Sequence, residues 1–324
     1  MIAYLSRRLL GLVPLLLGIT LISFMVIHVA PGSPMDLLTD MNPDASPELR
    51  DRLAEHWGLD EPLPVQYAMW LKRVVVGDFG NSLSRDPRPV IDKVAEALPV
   101  TLVLNLMSLC LVMAAAIPIG VYSATHPYSR SDRAATVFVF LGFAMPTFWL
   151  ALLCMMLFGV ELAWLPVSGL QSLDYNSLGP WGKVLDRARH LVLPVSIAAI
   201  TSLAGMSRYM RSSMLEVFRQ DYVTTARAKG LSERVVVYRH ALRNAMLPVI
   251  TLLGLSVPGL IGGSVIFETI FAIPGMGRLF YSSVMGRDYT VVMGVLVIGA
   301  VLTLLGNLLA DVSYAIADPR LRRR

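Results

Sequence analysis

The sequence predicts an all-α polytopic membrane protein, and three observations support this fold class. Of the 324 residues, 55% are hydrophobic and only 16% are charged, whereas soluble domains carry about 25% charged residues. Long uncharged runs recur along the chain, separated by polar segments. One polar segment, residues 208–245, is strongly basic and longer than a simple connector needs to be. We therefore expect a bundle of transmembrane helices with a structured cytoplasmic loop.

Six apolar runs are candidates for membrane spans, since a helix needs about 20 apolar residues to cross the hydrocarbon core. The fourth run is short, and snorkelling of Arg208 and Arg211 would extend it. The first run follows Arg7 and Arg8 and is longer than the h-region of a signal peptide, so we interpret it as a retained span. The six runs are 9–30, 100–125, 134–160, 191–207, 245–267 and 289–310.

The charges of the short loops set the expected orientation, because cytoplasmic loops are rich in Lys and Arg. Between Arg208 and Arg243 there are eight basic and three acidic residues. The short loop with Arg130 and Arg133 is also basic. Six spans would place both termini in the cytoplasm. The expected organisation is a cytoplasmic N-terminus (1–8), span 1 (9–30), an extracytoplasmic helical cap (31–97), a core with spans 2–6 (98–316) and a basic cytoplasmic tail (317–324).

The predicted cap between spans 1 and 2 has the patterns of folded helices. A helix is expected from Ser46 to Gly58, with an N-cap and a proline in its first turn. A second apolar stripe contains Tyr67 and Trp70 and ends at Gly77. A third short helix is expected to begin at Pro89. Together these patterns predict an insertion that packs on itself and on the bilayer surface, or one of which a part contacts an external partner.

The chain lacks the groups that would power transport. No Asp, Glu, Lys, Arg or His lies in the middle of an apolar run, although ion-driven carriers usually need such groups there. No Walker A pattern and no H-E-x-x-H motif occurs. Cys110 and Cys154 both lie in apolar runs and are interpreted as packing residues. We expect no catalytic site, metal or cofactor in this chain, and energy supplied from outside it.

The basic segment reads as two short helices joined by a tight turn. Gly230 is expected to end the first helix, because glycine accepts the left-handed conformation at little cost. Ser232 is a possible N-cap for the second. Ala226 and Gly230 are four residues apart and would share a small face that another surface could approach closely. The pattern predicts a docking site for a cytoplasmic partner.

Residues 224–231 (TTARAKGL) and 239–248 (RHALRNAMLP) resemble the EAA loop of ABC importer permeases. The general form of that motif is E-A-A-x-x-x-G followed by I-x-L-P. Thr224 and Thr225 stand where the general form has Glu and the first Ala, while Ala226 and Gly230 are kept. This version is similar to that of the peptide/nickel branch, and most of all to its B-type, dipeptide/oligopeptide permease subunit.

Further matches, in the same order as in that subunit, cover nearly the whole chain. They are Arg7-Arg8, residues 31–34 (PGSP), 58–63 (GLDEPL), 66–67 (QY), Trp70, 77–80 (GDFG), Ser82, 164–169 (WLPVSG), 274–278 (PGMGR) and 287–289 (RDY).

The resemblance implies a type I ABC importer permease fold (MetI-like), with this chain forming half of the translocation pathway. The implied partners are a second, C-type permease subunit, two cytoplasmic ABC ATPases that bind ATP and Mg, an extracytoplasmic solute-binding protein and membrane lipid. Nucleic acid is not expected. The implied location is a bacterial inner membrane. The residues expected to couple to the ATPases are Tyr222, Thr225, Ala226, Arg227, Lys229, Gly230 and Leu231.

The sequence leaves the cargo and the lining of the pathway open. Di- or oligopeptides are the first interpretation, while nickel, a nickel chelate or glutathione are alternatives within the same type of machine. A passive channel or a membrane scaffold is the alternative from a different class.

Overall fold

The computed structural model describes residues 2–29 and 61–317. Within these residues the regular structure is helical, apart from one isolated β-bridge between Asn81 and Pro89. The predicted helix from Ser46, the motifs between residues 31 and 60, and the tail from residue 318 lie outside the described part. The helices are α1 (Ile2–Val29), α2 (Leu63–Val75), α3 (Val90–Thr125), α4 (Arg130–Ala144), α5 (Thr147–Cys154, continued as a π-helix over Met155–Glu161), α6 (Pro180–Phe218), α7 (Asp221–Ala228), α8 (Glu233–Ser256), α9 (Val265–Ile270), α10 (Met276–Met285) and α11 (Tyr289–Ala317).

Three helices in the described part are long and apolar enough to span a membrane on their own: α3, α6 and α11. Two further candidates are bent pairs, with α4 and α5 meeting at 103° and α8 meeting the helical segment 258–270 at 46°. The region Leu10–Met25 of α1 is a shorter apolar helix. The chain is thus a helical membrane protein, and the count of six spans stays an expectation.

The central contact of the bundle joins α3 and α6. Val112 and Ala116 of α3 pack against Ala199 and Leu203 of α6. Farther along the pair, a Cβ atom on Gly120 would lie 2.6 Å from the Cβ of Met210, so only glycine permits this approach. Small residues let membrane helices approach closely, which explains how the two longest helices form the core.

The second stripe of the predicted cap is present as α2. Tyr67 and Trp70 pack beside a cluster that contains Phe24 of α1 and Tyr289 of α11, and Gly77 follows the helix with φ at +80°. The stripe therefore packs beside the end of α1 and the start of α11.

The end of the predicted cap differs from the expectation. The helix that begins after Pro89 is not a short separate element, because it continues as α3 to Thr125. Its first turns are covered by Met276 and Val291, and Pro99 falls inside the helix without ending it. The predicted boundary at residues 97–98 lies within this helix. In the same way α6 begins at Pro180, 11 residues before the predicted start of span 4 at residue 191.

Candidate functional site

The candidate site is centred on α7, within the basic segment 208–245 that the sequence singles out. The first residues of that segment, 208–218, belong to the end of α6. α7 covers Asp221–Ala228, and its end has the hydrogen bonds of a Schellman motif. The amide of Gly230 donates to the carbonyl of Arg227 at 2.9 Å, and that of Leu231 donates to the carbonyl of Ala226 at 3.4 Å. Gly230 has φ at +74°, which confirms its predicted role in ending the helix.

Ser232 lies at the N-cap position of α8 with extended backbone, as predicted. Its side chain makes no capping hydrogen bond. The amides of Val235 and Val236 instead donate to its carbonyl. The turn between the two helices is therefore defined mainly by the backbone, with Gly230 as the residue that the conformation requires.

One face of α7 is buried against the same subunit. Val223 is fully buried and Ala226 is 6% exposed, and both pack with Val236 of α8. Val217 and Phe218 at the end of α6 complete this cluster. The expectation that Ala226 and Gly230 form one exposed small face is wrong for Ala226. Its methyl group faces inward, and Gly230 lies beyond the helix in the left-handed region; the small side chain lets α7 approach its own α8.

The other face of α7 is open. Arg227 forms a two-pronged ion pair with Glu233, with Nε to Oε1 at 2.8 Å, and its guanidinium lies over the Phe218 ring. Asn244 donates to the Tyr222 hydroxyl at 2.9 Å. The predicted coupling residues on this open side are Tyr222, Thr225, Arg227, Lys229, Gly230 and Leu231. The structure thus leaves six of the seven predicted residues exposed.

This loop is joined firmly to the helical bundle. The Ser213 hydroxyl of α6 donates to the carbonyl of Ala245 in α8 at 2.9 Å. Met210 and Met214, both fully buried, pack with Val237 and Ala241 of α8. A force on α7 would therefore reach α6 and α8 through packed contacts rather than through a flexible tether.

A groove of about 1100 Å³ lies between the loop and the end of α3. Tyr122 and His126 line one side of the groove. Arg227, Glu233 and Tyr238 line the other side. The surface around α7 is therefore concave and carries both charges and aromatic rings, which are side chains suited to contact with another protein.

A second polar group, which the sequence did not assign a function, is buried in the bundle; we call it the Glu268 cluster. Glu268 is 1% exposed and accepts hydrogen bonds from the Thr101 hydroxyl and the Arg278 amide, each at 3.0 Å. The Met276 amide donates to the Thr101 oxygen at 2.9 Å. Glu268 lies in the bent pair that continues to Ile270, past the predicted end of span 5 at residue 267.

These features define a polytopic helical membrane protein with a rigid loop whose open face suits a soluble partner. The chain belongs to the family described as the binding-protein-dependent transport system inner membrane component, whose model matches residues 116–323. The N-terminal membrane component model of the same systems matches residues 1–105. The protein is thus a multi-pass inner membrane permease and a transport subunit rather than an enzyme.

Relatives match over the whole chain. The chain is 47% identical to the oligopeptide transport system permease protein AppB of Bacillus subtilis, over 99% of both chains. It is 37% identical to the dipeptide transport system permease protein DppB of Alkalihalophilus pseudofirmus, over 99% of this chain and 100% of the relative. It is also 37% identical, over 100% of both, to the di/tripeptide transport system permease protein DppB of Pseudomonas aeruginosa.

Proposed function

We propose that this chain is the B-type permease subunit of an ABC importer for di- or oligopeptides. The observation that carries the proposal is the end-to-end identity of 47% with an oligopeptide permease. Two further relatives are named for di- or tripeptide transport. In this account six spans with both termini in the cytoplasm form half of the pathway, and a C-type permease forms the other half.

The coupling mechanism rests on the exposed face of α7. Two partner ATPases would bind ATP and Mg. One of them would contact this face through Tyr222, Thr225 and the turn at Lys229–Leu231. Closure of the ATPases would move α7, and the contacts of Val223 with Val236 would carry the movement to α8. Because packed interiors resist compression, the bundle would reorient rather than absorb the movement locally.

An extracytoplasmic solute-binding protein would deliver the cargo from the other side. Within the described part of the predicted cap, α2 packs beside Phe24 and Tyr289. Residues 81–83 are held to the start of α11, because the Leu83 amide donates to Asp288 Oδ1 at 3.0 Å. A binding protein that contacts this surface would therefore be in direct mechanical contact with α1 and α11.

The test is purification of the complex and measurement of ATP hydrolysis in lipid vesicles. We expect the C-type permease and two ATPases to co-purify, and peptide-loaded binding protein to stimulate hydrolysis together with uptake of the peptide. Stimulation by nickel, a nickel chelate or glutathione, with none by peptide, would overturn the peptide assignment. A chain that is stable and conductive without partners would support a channel and contradict the importer.

A further inference from the structure

We propose that a cavity among α3, α5, α6 and α9 is a binding site for peptide cargo on its way along the pathway that this subunit shares with its partner permease. This inference rests on the proposed function and adds a location and a ligand chemistry to it. The cavity measures about 420 Å³, within the range of about 300–1,000 Å³ that is typical of small-molecule sites. It is lined by side chains from four separate helical elements, so movement between them would change its shape.

The lining combines apolar walls with neutral polar groups. Asn105, Thr147, Thr201 and Ser264 supply one amide and three hydroxyls, each from a different part of the chain. The rest of the wall comes mainly from leucine, isoleucine, alanine and two phenylalanine side chains. Neutral polar groups facing a cavity in apolar helices can exchange hydrogen bonds with a peptide backbone, since hydroxyls both donate and accept.

The cavity lies beside the break in the bent helical pair. α8 ends at Ser256, a short 3₁₀ turn covers Pro258–Leu260, and regular helix resumes at Val265. The Asn105 side chain donates to the carbonyl of Leu260 at 2.8 Å. Irregular backbone at membrane depth is tolerated where it is buried in protein or lines a cavity, and broken helices often form transport sites. The break in the helix is therefore explained by its position beside the cavity.

Glu268 forms part of the wall but is not the contact group for cargo. Its carboxylate is 1% exposed and is already bonded to Thr101 and to the Arg278 amide. The cavity thus presents no available charge, and its lining contains neither histidine nor cysteine. This chemistry suits the shared backbone of peptides with varied side chains better than it suits a bare metal ion, which needs carboxylate, imidazole or thiolate ligands.

The first test fills the cavity with larger side chains. Ala198→Phe and Thr201→Phe would each place a ring in the cavity, and Ser202→Phe on the exposed neighbouring position is the matched control. In the complete complex with its binding protein, we expect each cavity variant to lower trialanine uptake about tenfold or more, and triphenylalanine uptake further. Co-purification of the C-type permease and both ATPases with each variant would show that the complex is assembled.

The second test measures directly whether peptide occupies the cavity. It tests the proposal even if the larger side chains prevent assembly of the complex. With the two free thiols replaced (Cys110→Ser, Cys154→Ala), single cysteines are introduced as Thr201→Cys or Ser202→Cys. We expect trialanine during turnover to slow modification of Thr201→Cys by a methanethiosulfonate reagent, and to leave Ser202→Cys unaffected.

The outcomes separate this inference from the proposed function. Wild-type complex that takes up no trialanine would contradict peptide import itself. Wild-type complex that imports trialanine, together with equal labelling of both cysteines with and without peptide, would overturn only the cavity as a cargo site. Uptake of trialanine by the two cavity variants at the wild-type rate would also overturn only the cavity as a cargo site.

Discussion

The loop that contains α7 and the Glu268 cluster differ in where their polar groups lie. In the loop, the apolar face with Val223 is buried and the polar side chains remain open. In the cluster, the carboxylate of Glu268 is buried and hydrogen bonded within the subunit. An open polar surface is available to a partner, whereas a closed polar network stabilises one arrangement of helices. We therefore expect the loop to contact a partner and the cluster to hold the helices in place.

The sharpest way to test this division is to compare two neighbouring residues of α7. Thr225 is exposed and Ala226 is buried. We expect Thr225→Trp and Ala226→Trp each to abolish peptide uptake, but for different reasons. Ala226→Trp would force α7 off α8, because a buried site with no space cannot hold a ring.

Limited proteolysis separates the two causes. The loop should become protease-sensitive in Ala226→Trp and remain resistant in Thr225→Trp, with loss of ATPase co-purification in the latter. Equal protease sensitivity in both variants would contradict the proposal that α7 has one buried and one exposed face.

Removal of the carboxylate tests the cluster. Glu268→Ala would leave the Thr101 hydroxyl and the Arg278 amide without their acceptor, at a cost of about 3 kcal/mol of stability because buried unpaired groups are costly. We expect a lower thermal midpoint of the purified complex. Glu161→Ala, at an exposed position, is the control and should leave the midpoint unchanged.

A smaller effect is expected from one added methyl group in the same place. A Cβ atom on Gly275 would lie 2.5 Å from Glu268 Oε2 and 2.6 Å from the Thr101 hydroxyl. Gly275→Ala should therefore cost about 1–3 kcal/mol, measured as a shift of the thermal midpoint. Gly205→Ala, where a Cβ atom meets nothing within 4 Å, should not destabilise. An unchanged thermal midpoint in Gly275→Ala would show that the Glu268 cluster can rearrange without loss of stability.

The smallest stability change is expected at the exposed ion pair of the loop. Arg227 and Glu233 have side chains that are 43% and 66% exposed, and such pairs contribute below about 1 kcal/mol. Arg227→Ala should lower peptide-stimulated ATP hydrolysis while leaving the thermal midpoint nearly unchanged. A large fall in the midpoint would mean that the open face is itself structural.

Local chemistry explains which features the sequence could predict. Gly230 was predictable, because a left-handed turn after a short helix favours glycine whatever surrounds it. The stripe of Tyr67 and Trp70 was predictable from helical spacing. The inward direction of Ala226 was not, because a small residue suits an exposed contact and a tight internal one equally well. Glu268 was missed because its partner Thr101 is 167 residues away, and no local pattern reports such a pairing.

The account depends on the open face of α7 lying in the cytoplasm against an ATPase. In a chain whose two native cysteines are replaced, Lys229→Cys can be tested with a membrane-impermeant thiol reagent in vesicles stripped of the ATPases, and for cross-linking in the assembled complex. We predict labelling in inside-out vesicles only, and a cross-link from this cysteine to the ATPase subunit. Labelling only in right-side-out vesicles would place the loop on the opposite side of the membrane and contradict the account.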